Sequence, residues 1–224
     1  MGLDMYLNKM PRYKNLKVDK IMAIDGYFSW LDAKKEGNQY ADCTLEEWCG
    51  ASIDNISEEA IKFYEPFYTI KYANWDTEHS YGHRRLEEEV GYWRKANAIH
   101  KWFVDNVQDG VDDCGYYEVS QEQLKNLLHI CSLIKEKCRM KKGKIANGAH
   151  SENGQWVTDY VDGEYIENPE IAEEYLPTTG GFFFGDTEYD QWYMRSIEYT
   201  IEMLTKVLQA TDFETQMIVY HSSW

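Results

Sequence analysis

The chain has 224 residues, 39 acidic against 23 basic, and a formal net charge of −16. At that length one hydrophobic core can serve the whole molecule, so a single domain over 1–224 is expected. A charge of that size repels nucleic-acid phosphates and anionic lipid surfaces, which argues against direct nucleic-acid binding and against a membrane partner.

The five cysteines, Cys43, Cys49, Cys114, Cys131 and Cys138, form no regular framework, and an odd count does not suit a disulfide scaffold. No apolar run reaches bilayer length, and MGLDMYLNKM contains no signal-peptide core. The expected compartment is therefore the cytoplasm in which the protein is made. The 8 Phe, 8 Trp and 18 Tyr supply many flat side chains of the kind that line pockets and interfaces.

In chain order, Leu3 to Lys9 alternates as a strand, and Gln216 to Trp224, rich in β-branched and aromatic residues, reads as another that shares its sheet. Val18 to Lys35 has helical periodicity interrupted near Gly26. Thr44 with Glu47 makes a capping box ahead of a short helix at Leu45 to Cys49. Pro66 makes Tyr64 to Tyr72 an edge strand or extended loop.

From Arg85 to Val107 a proline-free run places Leu86, Val90, Trp93, Asn97, His100 and Val104 on one helical stripe. A second helix, Gln121 to Lys141, is capped by Ser120 with Gln123 and turns Leu124, Leu127, Leu128, Cys131, Ile134 and Cys138 inward. Lys142 to Asn168 reads as a variable excursion, with strands Gln155 to Val161 and Glu164 to Glu167 meeting at Asp162-Gly163. After Pro177 and TTGGFFFG, a last helix from Thr187 to Leu208 buries Tyr193, Ile197, Thr200, Leu204 and Leu208. The expected fold class is α+β: a small sheet containing both terminal strands, packed against several long helices, with a β-hairpin excursion.

Several segments carry a resemblance: MGLDMYL, EVGYWRKANAIHKWF at Glu89 to Phe103, DDCG at Asp112 to Gly115, GFFFG at Gly181 to Gly185, and YDQWY at Tyr189 to Tyr193. Together they resemble a group of small phage and prophage proteins of unassigned function. The resemblance implies a phage-related origin. It implies no reaction and brings no catalytic residues with it.

The residues themselves single out one constellation. On a helix, Trp93, Asn97 and His100 fall at i, i+4 and i+7, with Arg94 and Lys95 beside them, offering a ring, an amide, an imidazole and cations to one ligand. The loop glycines Gly180 and Gly181, with Phe183, Tyr189 and Tyr193, form a second wall, since adjacent glycines can turn backbone amides toward an anion. The carboxylates Asp186, Glu188 and Asp190 oppose a phosphate at the helix start that follows. Upstream, His83, Arg84 and Arg85 form a basic island that Glu88 and Glu89 can neutralise by i, i+4 pairing.

Two weaker motifs complete the survey. Cys114 lies between Asp113 and Gly115, where neighbouring carboxylates disfavour a thiolate. His79, His83 and Glu87 have a spacing that can bring metal ligands to one helical face.

The preferred reading is a non-catalytic protein that binds a small anionic, nucleotide-like ligand through Trp93, Arg94, Lys95, Asn97, His100, Gly180, Gly181, Phe183, Tyr189 and Tyr193, and sequesters a host defence signal. That reading needs no cofactor or metal and leaves homo-oligomerisation open. One alternative is a hydrolase or transferase with His100 as general base and Asp113 or Asp190 as its partner. Another is an acidic inhibitor of a nucleic-acid-binding host protein.

Overall fold

A computed structural model describes residues 2–71, 83–181 and 184–224, with the backbone alone for His83. The fold is α+β and forms one compact domain. At its centre is an antiparallel sheet in the order β4-β1-β8-β5, made of β1 Asp4–Pro11, β4 Glu88–Arg94, β5 Tyr117–Val119 and β8 Gln216–Ser223. The two terminal strands pair directly, from Asp4 opposite Ser223 to Pro11 opposite Gln216.

Strand periodicity divides the side chains between two layers. Met5, Leu7, Ile218 and Tyr220 join one core, formed with helices α4 Asn97–Asn106, α5 Gln121–Lys137, α6 Glu170–Tyr175 and α7 Gln191–Ala210. Met10, Met217 and Val219 join the other, formed with α1 Val18–Lys35 and α3 Glu58–Tyr64. The short helix α2, Leu45–Cys49, carries the expected capping box between Thr44 and Glu47. A small ribbon of β2 Thr69–Lys71 and β3 His83–Arg85 borders the second core.

Five expectations need correction. The Arg85 to Val107 run is not one helix: β4 pairs with β1, Lys95 turns the chain at φ 57°, and α4 begins only at Asn97. Gly91 explains part of the choice. Glycine costs a helix interior about 1 kcal/mol, whereas on β4 its missing side chain makes room for Met203 of α7, whose Sδ lies 2.7 Å from where a Cβ would stand.

The hairpin turn sits at Asn153-Gly154, where both residues have positive φ (52° and 79°), as the tight hairpin turn requires. It joins β6 Met140–Glu152 to β7 Gln155–Ile166, so Asp162 and Gly163 lie within a strand. Gly163 is there for space, since an added Cβ would fall 2.5 Å from Ile145 Cδ1.

Helix α1 runs unbroken through Gly26, and α5 stops at Lys137 because Cys138 is already extended and leads into β6. Arg84 and Arg85 lie on β3, so they do not meet Glu88 and Glu89. Instead Arg84 pairs with Asp32 at 3.1 Å and Arg85 with Glu87 at 3.2 Å. No helix among the described residues is long and apolar enough to cross a membrane.

Candidate functional site

A concavity of about 660 Å³ opens where β4 passes into α4, bounded by the loop before α7 and by the first turns of α7. Strand β4 contributes Tyr92, Trp93 and Arg94, and the turn contributes Lys95. Across from them stand Trp192, Arg195, Ser196 and Tyr199, spaced i, i+3, i+4 and i+7 on one face of α7. Gly148 reaches the rim from the irregular pairing near Ala146 in the β6–β7 ribbon.

Two aromatic planes are accessible: Trp192 is 47% exposed and Tyr199 42% exposed. The Arg195 guanidinium lies over the Trp192 ring, 4.5 Å from its centre. Arg94 is held by Asp4 at 3.1 Å, and Asp4 also accepts a short hydrogen bond from the Tyr92 hydroxyl. Asp186 and Glu188 bring acceptors to the opposite rim. With Arg94 balanced by Asp4, Lys95 and Arg195 stand against Asp186 and Glu188, so the cavity offers both cations and acceptors in a chain of charge −16.

The residues expected from sequence divide unevenly. Trp93, Arg94, Lys95, Asn97 and Tyr193 line the cavity. Trp93 does so from the core side: it is 3% exposed, and its Nε1 donates to Thr200 Oγ1 at 2.9 Å. The Asn97 amide is fully used by the loop, donating to the carbonyls of Phe184 (3.1 Å) and Asp186 (2.7 Å) and accepting from the Thr179 N–H (3.1 Å). Asn97 therefore shapes the wall and leaves recognition to its neighbours.

His100 does not face the cavity. It is 1% exposed, with Nδ1 2.7 Å from the Tyr220 hydroxyl and Nε2 3.0 Å from Asp112, and the Phe184 ring stands edge-on beside it. Its carboxylate partner is neither Asp113, which accepts from the Tyr117 hydroxyl and the Gly115 N–H, nor Asp190. Asp190 caps α7, accepting from the N–H groups of Trp192 and Tyr193, and burial pushes its carboxyl above the usual range. A carboxylate thus fills the helix N-terminus where a phosphate would otherwise have been favoured.

Gly180 and Gly181 lie away from the cavity lining, and the loop glycine that contributes to it is Gly185, at φ 90° against Lys95. Tyr189 sits behind the wall, accepting from the Thr178 N–H and packing its ring against Tyr193. Phe183 lies outside the described residues, as do His79 and the His83 side chain. Glu87, the third member of that spacing, is engaged by Asn8 and Arg85. Cys114 stands at φ 56°, partly exposed.

Tyr92, part of the segment that the sequence singled out, lines the cavity, whereas sequence reasoning missed Trp192, Arg195 and Tyr199. The α7 residues were visible as a second stripe, flanking the apolar one, carrying aromatics where a solvated face normally carries charges. No protein-family model matches the chain, and neither does any curated protein or solved structure.

Proposed function

We propose that the protein is a phage-derived, non-catalytic binder of a small anionic ligand with a flat ring, of nucleotide type, held in the cavity between β4 and α7. The observation that carries the reading is the Trp192–Arg195 pair facing Arg94 and Lys95 across a space of about 660 Å³. That volume falls within the ~300–1,000 Å³ range of small-ligand pockets. Trp192 and Tyr199 offer stacking faces, Arg94, Lys95 and Arg195 take the anionic group, and Asp186 and Glu188 accept from ring N–H or sugar hydroxyl groups. Sequestration of a host signal follows from the resemblance to phage proteins and from the withdrawal of His100, the general base of the enzymatic alternative, into a buried hydrogen-bonded position.

The test is thermal denaturation and calorimetry with a panel of linear and cyclic nucleotides. A binder at one hundred times its Kd adds about 2.7 kcal/mol of stability, and Arg94→Ala and Trp192→Ala each lower the affinity at least tenfold. Ligand recovered chemically intact supports sequestration, whereas product formation favours the enzyme reading. The absence of any shift across the panel at millimolar concentration overturns the proposal.

A further inference from the structure

A second concavity, about 370 Å³, lies on the other side of the molecule and shares no lining residue with the first. It occupies the seam between the end of β1, the α3 corner and the start of β8. Three cations reach it, Lys9, Arg12 and Lys71, against one carboxylate, Glu88. Glu88 is already committed to Lys9 at 3.3 Å.

Arg12 is anchored from behind, with its guanidinium 2.6 Å from Glu118 and its backbone N–H donating to the Thr215 carbonyl. Its Nε is buried and has no hydrogen-bond partner among the described residues. A buried donor without an acceptor is unusual in a native protein, and a bound acceptor is one of the ordinary ways to satisfy it. Lys71 makes no ion pair among the described residues. Phe63 and Phe67 supply an apolar wall beside these cations, with Phe67 41% exposed.

We propose that this seam is a second ligand site, selective for a compact organic anion that carries an aromatic group: the anionic head against Arg12 and Lys71, the ring against Phe63 and Phe67. Lys9 and Arg12 are each balanced by one carboxylate, Glu88 and Glu118, so among the described residues Lys71 brings the uncompensated charge, and an anion held there gains a charge-assisted hydrogen bond. The volume lies at the small end of the ~300–1,000 Å³ range of ligand pockets and suits a single-ring ligand. This site rests on its own residues and stands or falls independently of the larger cavity.

Phenyl phosphate is the probe, with inorganic phosphate and phenol as its two halves, each titrated calorimetrically into the full chain. Phenyl phosphate is expected to bind at least tenfold more tightly than either half. Lys71→Ala and Phe67→Ala each weaken it fivefold or more, Lys71→Arg restores binding, and Arg94→Ala leaves it unchanged. The proposal is overturned by no binding of phenyl phosphate at millimolar concentration, by inorganic phosphate binding as tightly, by indifference to both Lys71→Ala and Phe67→Ala, or by loss of binding in Arg94→Ala. Circular dichroism of each variant separates lost binding from lost folding, and a variant that unfolds is replaced by Lys71→Gln or Phe67→Leu under the same expectations.

Discussion

The Tyr220 hydroxyl lies 2.7 Å from Nδ1 of His100, and this bond ties the last strand of the sheet to the first turn of α4. On the far side of the ring, Asp112 accepts from Nε2 at 3.0 Å and also accepts from the Trp224 indole at 3.1 Å. Because a carboxylate only accepts, Nε2 carries a proton toward Asp112, and in the neutral ring the Tyr220 hydroxyl then donates to Nδ1. The chain Tyr220, His100, Asp112, Trp224 therefore joins three segments distant in sequence.

From this follows the first prediction. His100→Ala removes a buried ring and leaves the Tyr220 hydroxyl without its acceptor, so it should cost about 3 kcal/mol. Tyr220→Phe keeps the ring stacked on Phe103 and loses only the hydroxyl, at about 1 kcal/mol. Urea denaturation measures both. Equal losses in the two variants would mean that the hydrogen bond, rather than the packing, dominates.

Asn97 is expected to act on the cavity through its wall. Asn97→Ala strips the carbonyls of Phe184 and Asp186 and the N–H of Thr179 of their partner together, for a loss of about 2 kcal/mol. Hydrogen exchange should accelerate at the Thr179 amide while the α5 amides keep their protection. Unchanged exchange at Thr179 would show that the loop is held by other contacts.

How far these relationships could be read in advance depends on whether their cause is local. The α5 stripe and the pairing of the terminal strands were legible because burial on one face imposes a period on the residues of each element. The segment around Trp93 was not, because Trp93, Asn97 and His100 satisfy a helical spacing by coincidence. What makes Glu88–Arg94 a strand is β1, 80 or so residues away in the chain, together with Met203 filling the space over Gly91. The hairpin was misplaced for a different reason. Asn153-Gly154 is the stronger turn signal, yet Asp162-Gly163 resembles it closely, and only the cross-strand crowding by Ile145 shows that Gly163 serves packing.

The pH dependence should centre on Asp25 and Glu87. Burial pushes both carboxyls up. For Asp25 the Leu86 N–H and Arg85 pull the other way, and for Glu87 Arg85 and Asn8 do so while Asp25 adds to the rise. A carboxyl raised in the folded state contributes stability below its unfolded value, and that contribution is lost as pH rises through the folded value. Asp25→Asn, whose amide oxygen can still accept from Leu86, should therefore be at least as stable as the parent at pH 7. Its advantage should disappear near about pH 4, where the unfolded carboxyl itself becomes protonated. Denaturation midpoints at the two pH values check the sign, and a variant weaker at pH 7 than at pH 4 would reverse it.

Gly26 and Cys49 allow the last prediction to be set up as a cycle. In an exposed helix interior, glycine to alanine gains about 1 kcal/mol, and α1 runs straight through Gly26. Here, however, an added Cβ would lie 2.7 Å from Cys49 Sγ and 3.0 Å from its Cβ, so the gain is opposed by contact with α2. Gly26→Ala alone should accordingly be neutral or destabilising. Introduced together with Cys49→Ala, which removes the nearer atom, the same change should recover at least about 0.5 kcal/mol relative to the sum of the single variants. If Gly26→Ala alone delivers the full helical gain, then α2 yields freely. Gly26 would then be no more than a weak point in the helix, and the close approach of α1 and α2 would contribute nothing to its being glycine.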